Sequence, residues 1–168
     1  MIDRIQVPSD VIKRRREALG LDYDAAAAAT GMTNYYDTET YGDDMWVCTS
    51  IIEVLRLCKA FRLTPDEVFG GSASTSGIAP GHGKHPVGGL SSLRGLIADE
   101  LARTGESVGQ FEDRVGWELQ GFLAGTASGL HWNMDGLADV CDGCGADWLA
   151  VLRSEFNASN WEREGLRG

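Results

Sequence analysis

Cysteine and histidine are the side chains here best suited to metal or redox chemistry, and their spacing decides whether they do it. Cys141-Asp142-Gly143-Cys144 has the separation of a zinc or redox pair, and His82 with His85 could complete a Cys2His2 set. Against this, Cys141 and Cys144 stand at i and i+3 on a stripe begun by Leu137 and Val140, a placement that suits small buried hydrophobes. The two histidines lie far away in a glycine-rich stretch, and Cys48 and Cys58 form no second close pair. The expectation is packed, reduced thiols with no metal and no cofactor. No serine sits in a nucleophile-elbow context and no two carboxylates are spaced as an acid and base, so no catalytic residues are expected either.

Two other groups could recognise a macromolecule. Tyr35, Tyr36, Tyr41 and Trp46 are interleaved with Asp37, Glu39, Asp43 and Asp44. Tyrosine and tryptophan are favoured anchors at protein interfaces, and an acidic rim steers a basic partner. The set expected to bind a partner is therefore Tyr35, Tyr36, Asp37, Tyr41, Asp43, Asp44 and Trp46, with packing of the aromatics on their own domain as the competing explanation. Lys13-Arg14-Arg15-Arg16 is the one basic cluster; Lys13, Arg14 and Arg15 are the candidate phosphate contacts, although such a run is usually a solvated helix face, here with Arg16 in an ion pair.

The elements that would carry these residues are helical. Ser9 can cap a helix reaching about Leu19, with Ile12, Arg15 and Leu19 at helical spacing and Gly20 as its stop. Asp22 caps a second helix through Ala25 to Ala29, ended by Gly31. Ile51, Val54, Leu55, Cys58 and Phe61 predict an amphipathic helix over 50–61, and Thr64-Pro65-Asp66-Glu67 combines a cap, a first-turn proline and a capping-box glutamate. No period-two alternation runs long enough to predict a sheet. Glycine and serine then dominate from Gly70 to Gly89, the composition of a flexible linker. Beyond it, Leu93, Leu96, Ile97 and Leu101 form a helical stripe ended near Gly105, and Ser107 to Gln110 reads as a capping box.

The second half repeats the first. A shift of 85 residues carries Gly20 onto Gly105, Asp22 onto Ser107, Ala26 onto Phe111 and Gly31 onto Gly116. The segment Arg16-Glu17-Ala18-Leu19-Gly20-Leu21-Asp22, with Gly31-Met32-Thr33, Glu39 and the closing run from Leu57 to Phe69, resembles the Cro-like helix-turn-helix family, often called XRE. The resemblance covers about residues 9–70, and 91–152 more weakly through Gly105, Ser107, Gly116, Gly125 and Asp147-Trp148-Leu149. It implies an all-α protein of two tandem small helical bundles of helix-turn-helix type: residues 1–70, a linker over 71–90, a degenerate second domain over 91–152 and a tail over 153–168. It also implies a structural ion pair between Arg16 and Glu39, whose places are taken in the second half by Leu101 and Ala124. Members of the family are usually transcription regulators that read DNA.

This chain departs from that pattern in spacing and in charge. The spans from Gly31 to Glu39 and from Gly116 to Ala124 are each two residues shorter than the family norm, which cuts the recognition helix or its turn. Residues 17–55 and 115–152 contain no lysine or arginine, and 15 basic against 25 acidic residues give a net charge of −10. Binding to DNA would then forgo the counterion release that supplies much of its affinity. The resulting expectation is a non-enzymatic binding protein that captures a basic protein partner, of the immunity-protein, antitoxin or antirepressor kind, with a DNA-binding regulator as the alternative. The sequence leaves open monomer and homodimer. With no apolar run of 18 residues and charged residues from Lys13 to Arg16, neither a membrane span nor a signal peptide is expected, and the cytoplasm is the expected compartment.

Overall fold

A computed structural model describes residues 7–41, 44–158 and 161–162. Eleven helices occur among the described residues: α1 (Pro8–Ala18), α2 (Tyr23–Thr30), α3 (Tyr35–Thr40), α4 (Asp44–Val47), α5 (Ile51–Phe61), α6 (Pro65–Phe69), α7 (Leu90–Thr104), α8 (Val108–Val115), α9 (Gln120–Leu123), α10 (Met134–Cys144) and α11 (Trp148–Ala158). No strand is present among them, only two isolated bridges. None of these helices is long and apolar enough to cross a membrane.

Most helix ends are set locally. Asp22 accepts the Ala25 N–H, and Ser50–Glu53, Thr64–Glu67 and Ser107–Gln110 all form reciprocal capping boxes. Two expectations at the first helix are corrected. Its N-cap is Val7, with Pro8 at the first position, and Ser9 is buried inside the first turn instead of capping it. Leu19, expected on the apolar face, lies beyond the helix and is exposed. The core side of α1 is Pro8, Ser9, Ile12 and Arg16.

The 85-residue shift reappears in the element bounds. It carries α2 onto α8 from first residue to last, and both helices stop at a glycine in left-handed backbone, Gly31 at φ 69° and Gly116 at φ 80°. Only glycine takes that conformation without a Cβ penalty, which is why both turns can leave the helix at the same angle. Helices α3 and α9 also start 85 residues apart, but α9 is a single turn. The later helices α5 and α10 are equal in length and end on the left-handed residues Arg62 and Gly145.

The two halves share one core. Trp46 of α4 packs edge-on against Phe69 of α6 and Trp148 of α11, with both ring centroids 5.2 Å away. Helix α6 lies on α11 and α4 lies on α10. The junction is also hydrogen-bonded. Ser50 and Asn133, the N-caps of α5 and α10, meet in an antiparallel bridge. Ile51 N–H donates to Trp132 O at 2.9 Å, Ile52 N–H to Leu130 O at 3.0 Å, and Asn133 Nδ2 to Val47 O at 2.9 Å. The start of α5 thus holds the residues before α10, and the start of α10 holds the residue at the end of α4. Such reciprocity is the pattern of a two-fold interface, made here within one chain.

The segment 71–90, expected as a flexible linker, is laid along the second half. Thr75 N–H donates to Asp135, Gly81 N–H to Asp147 and His85 N–H to Gly145 O, while Trp148 Nε1–H donates to Ile78 O. A side chain at Gly83 would collide with the Ala146 backbone, so glycine serves close approach there. The expected tail over 153–168 begins inside α11, and Trp161 is buried. The places of Arg16 and Glu39 are not reproduced as a buried apolar contact: Leu101 is half-buried, and Ala124 is exposed just after α9.

Because Trp148 is buried between the halves, Trp148→Ala should destabilise the whole chain by about 3–5 kcal/mol. Hydrogen exchange under native conditions should show protection in α5 and α10 falling together. Loss of protection in one half with the other unchanged would contradict a shared core.

Candidate functional site

The best-defined polar cluster joins α1, α2 and α3. Arg16 and Glu39 form a two-pronged pair, Nε to Oε2 at 2.7 Å and Nη2 to Oε1 at 2.8 Å. Tyr35 O–H donates to the same Oε2 at 2.7 Å, and Arg16 Nη1 donates to Leu21 O at 2.9 Å. The guanidinium also covers the Tyr23 ring, 4.4 Å from its centroid. The Glu39 side chain is 1% exposed and that of Arg16 10%, so the pair is charged inside the fold and depends on these hydrogen bonds.

Burial raises the Glu39 pKa, but hydrogen bonds from Arg16 and Tyr35, with smaller pulls from the charges of Arg16 and Lys13, outweigh it and hold the carboxyl below its ordinary range. Burial first, and the Glu39 carboxylate next, push the Tyr35 phenol well above its ordinary value. The ion pair expected from the family resemblance is present, with Tyr35 as an additional member.

That result divides the expected partner-binding residues. Tyr35 is fully buried and Trp46 is 3% exposed at the junction of the halves; both are corrected from surface anchors to core. Asp43 lies outside the described residues, and Asp44 is described only as the first residue of α4. Tyr36, Asp37 and Tyr41 remain on the surface, Tyr36 and Tyr41 at 50% and 63% exposure. Tyr36 does not stand alone: its ring meets the Tyr23 ring edge-on, centroids 4.8 Å apart. The order Arg16, Tyr23, Tyr36 is therefore a stack running from the buried ion pair to solvent. Tyr23 was not foreseen, because it and Tyr36 sit on different helices and no spacing in the sequence connects them.

The basic cluster is divided as well. Arg15 donates to Arg62 O and faces Glu67 at 3.7 Å, so its guanidinium is committed to α6 and the turn before it. Lys13 and Arg14 are exposed, Arg14 bonding Asp10 O one turn back on its own helix.

The thiols of Cys58, Cys141 and Cys144 are buried, and burial raises all three pKa values, Cys144 to about 11 and Cys58 to about 12. Such thiols are protonated near neutral pH and are poor nucleophiles. His82 and His85 lie closer to this region than their sequence distance implies, His82 Nε2 facing Asp142 at 3.1 Å and His85 pairing with Ala146. Among the described residues no three His, Cys, Asp or Glu side chains are grouped to hold a metal ion.

Removing one member of the buried pair leaves the other charge uncompensated, so Glu39→Gln or Arg16→Met should each cost about 3–5 kcal/mol, and the double variant less than their sum. Because the folded-state pKa of Glu39 is depressed, its contribution is complete above the unfolded value of about 4.3 and is lost as pH falls through the folded value. For Tyr35 the shift is upward, so stability is full below about pH 10 and declines above it. Urea titrations from acid to alkali should show both slopes in wild type and a flattened acid limb in Glu39→Gln. An unchanged acid limb would remove Glu39 from this role.

No protein-family model, curated protein or solved structure matches this chain, and a functional reading therefore rests on the geometry above.

Proposed function

We propose that the chain is a non-enzymatic binding protein that captures a protein partner with a basic contact surface, through the exposed face of α3 and the residues after it. The observation that carries this is the supported aromatic stack: Tyr36 projects at 50% exposure from a Tyr23 ring that is itself held under the Arg16 guanidinium. An anchor whose conformation is fixed before binding loses little entropy on association. Tyr41 and Asp37 flank it on the surface, and no lysine or arginine occurs from residue 17 to 55. Aromatic anchors with an acidic surround suit a basic protein surface and repel a polyphosphate.

In this reading the chain carries two degenerate Cro-like units in tandem, supported by the matched bounds and glycine stops of α2 and α8. On that reading α2 with α3, and α8 with the shorter α9, would correspond to the helices with which that family reads DNA, and α3 carries Asp37 and Glu39 and no cation. The biological role would be of the immunity-protein, antitoxin or antirepressor kind, in which an acidic chain neutralises or covers a basic protein. The opposing reading, a DNA-binding regulator, has Lys13 and Arg14 as its exposed cations.

The binding kinetics of a basic partner separate anchor from steering charge. Tyr36→Ala should raise the dissociation rate and cost about 2 kcal/mol of affinity, as a hot spot does. Asp37→Lys should slow association and weaken its salt dependence, with dissociation little changed. Full affinity in Tyr36→Ala, or a partner lost only when Lys13 and Arg14 are replaced, would reject this face.

A further inference from the structure

The second half contains a cavity that the reading above does not use. It lies between α8 and α9, has a volume of about 350 Å³, and is lined by Glu112, Glu118, Gln120, Phe122 and Trp132 among others. It occupies the place in the second half that the α2–α3 turn occupies in the first, 85 residues earlier.

Its walls are chemically consistent with one kind of ligand. Phe122 and Trp132 form an edge-to-face pair with centroids 4.6 Å apart. Both rings close over Gly129, where a Cβ would stand 3.3 Å from Phe122 and 3.5 Å from Trp132, and where φ is +83°. A glycine turn thus fixes the aromatic wall. Glu112 is fixed too, because its Oε2 accepts the Leu119 N–H at 2.6 Å. Glu118 is exposed at the mouth. No lysine or arginine lines the cavity. The nearest cation described against its walls is Arg94, whose guanidinium rests 4.8 Å from the Phe122 centroid and bonds the carbonyls of Phe122 and Ala127. Two carboxylates against that one guanidinium leave the site acidic. Phe122 is buried, with Arg94 on its ring, so half-buried Trp132 is the ring open to the cavity.

We propose that this cavity receives a single arginine or lysine side chain of a protein partner, the Trp132 ring, backed by Phe122, contacting its stem and charge and Glu112 with Glu118 supplying the counter-charge. The aromatic faces favour a weakly hydrated cation, so guanidinium should bind better than ammonium. A volume of about 350 Å³ accommodates such a side chain and is too small for a folded element. The proposal goes beyond the α3 face and needs neither that face nor an identified partner for its test, so the two can fail separately.

The test uses the 15N-labelled chain, titrated at low salt with N-acetyl-arginine amide, with N-acetyl-lysine amide, with the neutral N-acetyl-glutamine amide and with free arginine, and read at the Trp132 indole N–H. The expected result is a saturable shift with the arginine compound, a weaker one with lysine and none with glutamine. Read at the backbone amide of Gly121, which also lines the cavity, Trp132→Ala should weaken arginine binding about tenfold and Glu118→Gln about threefold. Since Trp132 contributes packing, Glu118→Gln carries the test if the first variant fails to fold. The proposal is overturned if the Trp132 indole does not respond, if the neutral compound shifts it equally, or if Glu118→Gln binds as wild type does. Tighter binding of free arginine than of its capped form would assign the cavity to a free amino acid and overturn the assignment to a partner's side chain.

Discussion

The buried aromatic junction of Trp46, Phe69 and Trp148 is the contact on which the arrangement of this chain depends. Two small helical units of this size bury modest cores when alone, because the surface of a short chain is large for its volume. Here their apolar faces cover each other, and the N-caps of α5 and α10 pair across the join. The chain uses an interface within itself that separate subunits would make between two copies. Segment 71–90 fits the same picture, since its glycines allow the chain to run close to the α10–α11 turn while its N–H groups bond Asp135, Asp147 and Gly145.

None of the residues named at that junction belongs to α2, α3, α8 or α9. In the first half the buried Arg16–Glu39–Tyr35 cluster supports a line of aromatic rings that ends at Tyr36 in solvent. In the second half the ion pair is absent, α9 is a single turn, and the corresponding place is a cavity walled by Phe122 and Trp132. The two places differ in shape but share aromatic rings and carboxylates, and in each an arginine of the chain itself, Arg16 or Arg94, packs on a ring. Under the two proposals made above, a basic protein surface would meet both, one as a flat contact and one as an inserted cation.

What the sequence made legible was local. Caps at Asp22, Thr64 and Ser107 were readable because each depends on residues three positions apart. The Arg16–Glu39 pair was readable only through a family resemblance, since nothing in composition links residues 23 positions apart. The adjacent Tyr35 and Tyr36 were not separable: α3 has six residues, too few for periodicity to show which face is buried. Trp46 was misplaced on the surface because the residue that buries it, Trp148, lies about a hundred positions away in the other half. The linker composition signalled freedom where glycine instead serves close packing, a distinction that only the Ala146 backbone beside Gly83 reveals. Fixation of Trp132 by Gly129 had no sequence signal at all.

In the function proposed above, these acidic, aromatic surfaces serve a protein and not a nucleic acid. The most direct measurement is fluorescence anisotropy of a labelled mixed-sequence duplex titrated with the full chain across a salt series. No saturable binding is expected at about 150 mM salt, because α2, α3, α8 and α9 hold no run of cations to release counterions. Nanomolar binding with an affinity that falls steeply with salt, and that is lost when Lys13 and Arg14 are changed to alanine, would contradict it.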